Sequence, residues 1–289
     1  MDFFLSTFSE NKIFTSTSDF MQSNNFITKM TFFIFVIFVL IILFQIITRI
    51  IVYVYAYKTD IVLLPGTIDA RHSRTIVQDN KHSNILLRPS TNKLYGIEFT
   101  WSVWILINEL ELSNTQFHNV FFKGNYNPNL CSNLNVLTNG PGLYILNNLT
   151  THSATLYLHM DTYQQPSVYF NNQNKCNTSN AISIPNIPLN SWVNVVITCY
   201  GKQVDIYING IISTSVELKG VPKQNSGDVY IGANNGFSGK ISGLRYIARK
   251  LYNSEILDIY NKGPNTKILD STLEIPTKQN YLAFNWYTN

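Results

Sequence analysis

The chain is 289 residues long, 45% hydrophobic, 13% aromatic and 13% charged. That is too apolar and too poor in charge for a wholly disordered chain, and the length suits one or two domains of ordinary size. Its 21 basic and 17 acidic residues leave a net charge of +4, too weak and too scattered for the concentrated basic face of a nucleic-acid binder. Three cysteines without a Cys-x-x-Cys pair exclude a disulfide-dense scaffold and a zinc ribbon.

The first predicted element is a membrane span. Between Thr31 and Thr48 there is no charge, and Gln45 is the one strongly polar side chain. A helix over that stretch reaches roughly 27 Å, close to the hydrocarbon thickness of a bilayer. The apolar run resumes after Arg49 and continues from Ile50 to Tyr57, so the span is set at residues 30–57. Arg49 would snorkel to the interface, and Tyr53, Tyr55 and Tyr57 would form an aromatic belt. A buried helix of a soluble core is the alternative, disfavoured by the length of the run. The preceding tail, residues 1–29, carries Asp2, Glu10 and Asp19, and no small-residue cleavage site follows the run. Both features speak against a cleaved signal peptide. Lys58, Arg71 and Arg74 against Asp60 and Asp69 lean the C-terminal part toward the cytoplasmic side by only a few charges.

Residues 58–93, with Pro65, Gly66 and Pro89 among many charges, read as a stem with one or two short strands. Asn148-Leu149-Thr150 and Asn177-Thr178-Ser179 are glycosylation triplets of a kind that arises by chance in an Asn-rich chain. Cys131 and Cys176 sit in polar stretches and would pair only in an oxidising compartment.

From residue 94 the pattern becomes a series of short strands. Phe99, Trp101, Val103 and Ile105 alternate onto one face. The same alternation predicts strands at Val120–Lys123, Gly142–Leu146, Leu156–Met160 and Val168–Phe170. Trp192–Tyr200 follows with Val193, Val195, Ile197 and Cys199 together, making Cys199 a buried thiol. Val204–Ile208, Asn209-Gly210 and Ile211-Ile212 form a hairpin signal, because Asn-Gly supplies the two positive-φ positions of a type I′ turn. Asp228–Gly232 and Lys240–Ala248 are further strands, and Ser254–Asn261 is a helix capped by Asn253 or Ser254 and ended by Gly263-Pro264. Many short strands with turn residues between them predict an all-β antiparallel sandwich or barrel.

The order of these pieces resembles a family. Phe99-Thr-Trp-Ser-Val-Trp104, Val120-Phe-Phe-Lys-Gly124, Trp192-Val-Asn-Val-Val196, Val204-Asp-Ile-Tyr-Ile-Asn-Gly210, Asp228-Val-Tyr-Ile-Gly232, Gly236-Phe-Ser-Gly-Lys-Ile241 and Tyr252-Asn-Ser-Glu-Ile-Leu257 are similar to the concanavalin A-like, laminin-G-like jelly rolls. The likeness covers residues 94–264 and leaves 265–289 as a last strand or an arm. It implies two curved antiparallel sheets and a binding or scaffolding role. Gly96-Ile-Glu-Phe-Thr-Trp-Ser102, Ile184-Pro-Asn-Ile-Pro-Leu189 and Gly220-Val-Pro-Lys-Gln-Asn225 resemble the version found in large double-stranded DNA viruses. A virion setting follows from that likeness, as a single-pass protein of the virion membrane with the lipid bilayer and a capsid or other structural protein as partners.

Catalytic chemistry is mostly missing from the sequence. Glucanases of this fold carry Glu-x-Asp-x-x-Glu, whereas Glu109-Leu-Glu111-Leu-Ser-Asn114 has Glu at the middle position and Asn at the last. No catalytic residue is assigned and the chain is expected not to be an enzyme. His72, His82, His118, His152 and His159 are isolated from the cysteines and from one another, and read as surface or packing residues. No cofactor is called for. The resemblance admits Ca2+, which needs six to eight oxygens, with Asp161 as the loop acid singled out for a metal. Carbohydrate is the other ligand the fold admits, through aromatic faces and amides on loops. Asn125, Tyr126, Asn127 and Asn129 form one candidate ligand-binding loop, and Asn234, Asn235 and Phe237 another. Turn formation by Asn and Gly is the competing explanation for both loops.

Overall fold

The computed structural model describes residues 26–55, 60–79, 85–87, 89–90, 96–109, 117–127, 138–148, 153–164, 169–170, 176–177 and 181–269. The chain divides into two units, residues 1–58 and 59–289.

The described part of the first unit is one helix, α1 (Phe26–Tyr55). Its thirty residues would extend about 45 Å. It is apolar on all sides, exposing Phe33, Phe38, Ile41, Phe44 and Ile47, as a membrane span is and a surface helix of a soluble domain is not. The stretch Lys29–Ile51 is long and apolar enough to cross a bilayer, and none of it is buried. The aromatic belt expected at Tyr53, Tyr55 and Tyr57 lies outside the described side chains.

The second unit is a sandwich of two antiparallel sheets. Its strands in chain order are β1 (Asp60–Val62), β2 (Thr67–Asp69), β3 (Arg74–Ile76), β4 (Glu98–Ile107), β5 (His118–Gly124), β6 (Gly142–Asn148), β7 (Ser153–His159), β8 (Tyr169–Phe170), β9 (Cys176–Asn177), β10 (Ile182–Ile187), β11 (Trp192–Tyr200), β12 (Gln203–Ile208), β13 (Ile211–Glu217), β14 (Asp228–Ile231) and β15 (Gly239–Ile247), and helix α2 (Asn253–Lys262) follows. A seven-stranded sheet runs β1-β15-β4-β11-β12-β13, with β2 also pairing with β15. A six-stranded sheet runs β10-β7-β6-β5-β14-β3, and β8 pairs with β9. The all-β, two-sheet jelly-roll-like architecture with one preceding apolar helix is as the strand pattern predicts.

The alternating apolar residues of both sheets meet between them. Trp101 of β4 stacks on Phe121 of β5 at 5.1 Å between ring centroids and packs against Tyr246 of β15 at 5.0 Å. Val103, Ile105, Val195, Ile197, Leu143, Ile145, Leu156 and Val229 complete the centre of this core. The Cys199 thiol is buried there and pushed up to about 12 by desolvation. The Asn209-Gly210 turn has φ of 52° and 80°, as its sequence requires.

Three differences from the sequence reading have physical causes. The described residues 60–76 of the expected stem belong to the sandwich, because β1 and β2 pair in tandem along one edge of β15 and β3 pairs with β14. Both faces of β4 are buried, including Thr100, Ser102 and Trp104, because α2 lies over the outer face of the seven-stranded sheet. There Ile256 and Ile259 cluster with Val196, Tyr207 and Ile247, and Trp104 stacks on Tyr260. Thr100 satisfies its hydroxyl by donating to the Arg249 carbonyl and accepting from the Leu251 N–H. The residue at the N-cap of α2 is Tyr252, not Asn253 or Ser254. Its N–H donates to the Glu255 carboxylate, which Arg249 grips with both guanidinium arms, at 2.9 and 2.5 Å. These bonds hold the Glu255 carboxyl down at about 2.

Candidate functional site

A cavity of about 670 Å3 opens at one end of the inter-sheet space. Phe99, Trp101 and Tyr246 of the seven-stranded sheet line it on one side, and Lys123 of β5 with Met160 on the other. Leu86, Leu87 and Pro89 frame it together with the segment 222–226, which brings Gln224 and Asn225. The walls are thus apolar and aromatic with a few amides, two lysines and one carboxylate, the usual make-up of a small-molecule site, and the volume falls within the range of such sites.

Lys123 is the chemically distinctive residue. It follows Phe121 and Phe122 on a strand that alternation otherwise commits to packing. Its Nζ donates to the carbonyls of Asn225 and Gly227, each at 2.8 Å, and lies 3.4 Å from Asn225 Oδ1. Burial brings its pKa down to about 8, with Asp228 opposing the shift. Main-chain bonds lock the framing segments to the same residue. The Gly140 N–H and the Asn225 side-chain amide both donate to the Lys123 carbonyl, and the Lys123 N–H donates to Pro141. A Cβ on Gly140 would come within 2.5 Å of Asn225 Nδ2 and 3.1 Å of the Lys223 carbonyl oxygen, so a larger residue there would displace the Asn225 amide from the Lys123 carbonyl.

Asp161, singled out as a metal ligand, instead braces the cavity rim. It is buried, its carboxylate accepts the Asn139 N–H at 3.0 Å, its N–H donates to the Asn139 carbonyl, and its carbonyl accepts the Lys223 N–H. Tyr144 donates its hydroxyl to Asn139 Oδ1 at 2.6 Å, and burial beside Asp161 pushes that phenol well above its ordinary range. Among the described residues no group of three or more His, Cys, Asp and Glu side chains gathers to hold a metal ion.

The two candidate ligand-binding loops lie apart from the cavity lining. Asn125 is exposed and its N–H donates to Thr138 Oγ1. Tyr126 packs on Phe122 and Tyr230, part of an aromatic cluster on the outer face of the six-stranded sheet. Asn127 is half-buried and Asn129 lies outside the described residues. Asn234 and Asn235 have φ of 55° and 63°, so their place in the sequence is explained by a left-handed turn, which Asn tolerates. Phe237 is a correction: it is 3% exposed, belongs to the inter-sheet core and has no face to offer a ligand.

Glu109 is exposed just past β4, while Glu111, Asn114, His82, His152 and Cys131 lie outside the described residues. His72 is exposed. His159 is buried edge-on against Phe117 and Tyr144, and His118 Nδ1 lies 2.7 Å from the Gly236 carbonyl, so both buried histidines are packing residues.

Sequence reasoning passed over the cavity. Trp101 and Phe99 read as core, and Lys123 as one strand residue among others. The available signals were a lysine inside an apolar strand and the Gly220–Asn225 stretch, whose Pro222, Lys223, Gln224 and Asn225 all line the opening.

The geometry can be set beside known proteins. The solved receptor binding domain of botulinum neurotoxin C/D mosaic serotype is 16% identical with a TM-score of 0.38, over 58% of this chain and 36% of that one. The binding domain of botulinum neurotoxin serotype G is 12% identical with a TM-score of 0.41, over 66% of this chain and 42% of that one. The serotype D ligand binding domain in complex with N-acetylneuraminic acid is 16% identical with a TM-score of 0.41, over 63% and 39%. The chain therefore spans about two fifths or less of the length of these structures. No curated protein matches it. The family model described as the concanavalin A-like lectin/glucanases superfamily, of laminin G type, matches residues 79–257. That match takes in more than half of the chain and falls on the two-sheet sandwich, and the protein belongs to this superfamily.

Proposed function

We propose that the protein is a single-pass, membrane-anchored binding module whose sandwich recognises a partner without cutting it. The observation that carries this reading is α1, with its 23-residue apolar stretch Lys29–Ile51 wholly unburied. An exposed helical face of that size in water would cost far more than a domain's net stability, and a bilayer removes the cost. Binding in place of hydrolysis is supported by the cavity, where Asp79 is the one carboxylate among the described lining residues. A retaining glycosidase needs two carboxyl groups about 5–5.5 Å apart across the scissile bond.

The setting we infer is a virion, with the helix in the particle's membrane and the sandwich on the capsid or a neighbouring structural protein. Support comes from the sequence likeness to laminin-G-like domains of large DNA viruses and from the pairing of one span with one compact sandwich. Cross-linking of purified particles tests it. The expected result is a conjugate between the sandwich and a capsid or membrane-associated structural protein, and absence of the chain from particles would overturn the virion setting.

Glycan recognition is the second reading, favoured by aromatic rings and amides sharing one cavity, Phe99 and Trp101 with Gln224 and Asn225. Binding of one sugar class on a glycan array by the full chain in detergent would promote it over the first.

A further inference from the structure

We propose that the inter-sheet cavity binds an amphipathic monocarboxylate, with its apolar body against Phe99, Trp101 and Met160 and its carboxylate at Lys123 Nζ. The proposal rests on the reading of the sandwich as a binding module and names the class of molecule it takes.

Three observations on the cavity converge. First, the direct contacts of the Lys123 ammonium are all with oxygens of uncharged groups. Asn225 and Gly227 accept from it through main-chain oxygens, and among the described residues no carboxylate lies within ion-pair distance. A half-buried ammonium with no carboxylate in direct contact is costly, Asp228 offsetting the burial only in part, and an anion brought to it is correspondingly favoured. Second, the third of its hydrogen bonds is long and shared. An ammonium has three protons, two go to good acceptors, and the third faces Asn225 Oδ1 at 3.4 Å, an oxygen that already accepts the Gly227 N–H at 3.1 Å. Third, the cavity beside this group is lined by Leu86, Leu87, Ile97, Phe99, Trp101 and Met160. Such walls favour an alkyl or aryl body over a polyhydroxylated one.

Two amides of the lining, Gln78 and Gln224, are committed to holding the frame. Gln78 accepts the Leu87 N–H at 2.7 Å and donates to the Ile85 carbonyl at 3.0 Å, and Gln224 donates to Ser90. The other charged and titratable groups around the ammonium are Asp79 and Lys223 in the lining, Asp228 on β14, whose carboxylate accepts the Gln78 N–H, and Tyr246, whose phenol burial pushes above its ordinary range. Lys123 loses its charge near pH 8. Its protonated form binds the carboxylate, so affinity is full below that pH and falls as pH rises through it, with the bound anion shifting the fall somewhat upward.

The test uses the full chain in lipid nanodiscs, titrated calorimetrically with octanoate and with neutral octanamide, and with empty nanodiscs as the blank. Octanoate is expected to bind at least tenfold more tightly than octanamide at pH 7. That preference should shrink tenfold or more by pH 10, with octanamide unchanged. In Lys123→Met the preference is expected to disappear while octanamide binding stays within threefold. Should the variant fail to fold, the pH series on the unaltered chain decides alone. Octanamide binding as well as octanoate would overturn the carboxylate assignment and leave a binding cavity. Failure of both to bind would overturn the proposal entirely, while the membrane and cross-linking results would still judge the wider reading separately.

Discussion

Replacing Trp101 by alanine is expected to cost about 3–5 kcal/mol of stability. The indole is 1% exposed, stacks on Phe121 and touches Tyr246, so it joins the two sheets at the point where the cavity begins. Truncation removes its transfer free energy and enlarges a void that already exists on one side. The surrounding strands, paired on both edges of β4 by β11 and β15, cannot collapse to fill it. Thermal unfolding of the full chain in detergent should show a midpoint lowered by roughly 6–20 °C. Trp101→Phe, which keeps an aromatic ring against Phe121, should lose less than half as much. An unchanged midpoint for the alanine variant would mean that the sheets are not held together here.

Gly236→Ala is the second substitution expected to be severe, at about 2–4 kcal/mol. Gly236 has φ of 47°, and an added Cβ would lie 1.8 Å from the Ala70 carbonyl oxygen, a backbone atom that cannot rotate away. Ala70 is itself fixed, since its N–H donates to the Gly239 carbonyl. The loop must therefore move, and the contact between the Gly236 carbonyl and His118 goes with it. Neighbouring Asn235 shares the left-handed conformation but is exposed. Asn235→Ala should cost only about 1 kcal/mol, the conformational penalty without the collision. Comparing the two midpoints separates close approach from backbone conformation, and equal losses would contradict the packing described.

What the sequence made legible follows from local physics. The alternation in Trp192–Tyr200 and the Asn209-Gly210 turn each depend on residues a few positions apart, and both appear where expected. β10 was not foreseen because Pro185 and Asn186, at φ 61°, break the alternation. They are tolerated at a bulge on the edge strand of the six-stranded sheet. The three-residue strands at Asp60–Val62, Thr67–Asp69 and Arg74–Ile76 are too short to show a period. Their conformation is imposed by partners about 150 residues or more away, such as Ile247 opposite Asp60 and Tyr230 opposite Thr75, and Arg245 forms an ion pair with Asp60 across the first of these pairings.

The site was less legible for a related reason. The cavity exists only because Trp101, Lys123 and Asn225 come together from distant strands and loops. Each alone has an ordinary explanation as core, strand or turn. Asp161 was picked out among the loop acids for a metal, but what distinguishes it in the structure is burial against Asn139, which no local pattern reveals. Phe237 misled because a Gly- and Asn-rich neighbourhood reads as an exposed loop, whereas its ring turns inward from a tight left-handed turn.

The account depends most on α1 holding the chain in a lipid bilayer. The direct measurement is alkaline extraction of membranes from cells expressing the full chain with a tag at each end. It predicts one band carrying both tags, retained in the membrane pellet and released only by detergent. A chain found in the soluble fraction, or one that has lost its N-terminal tag by cleavage after the apolar stretch, would contradict the account.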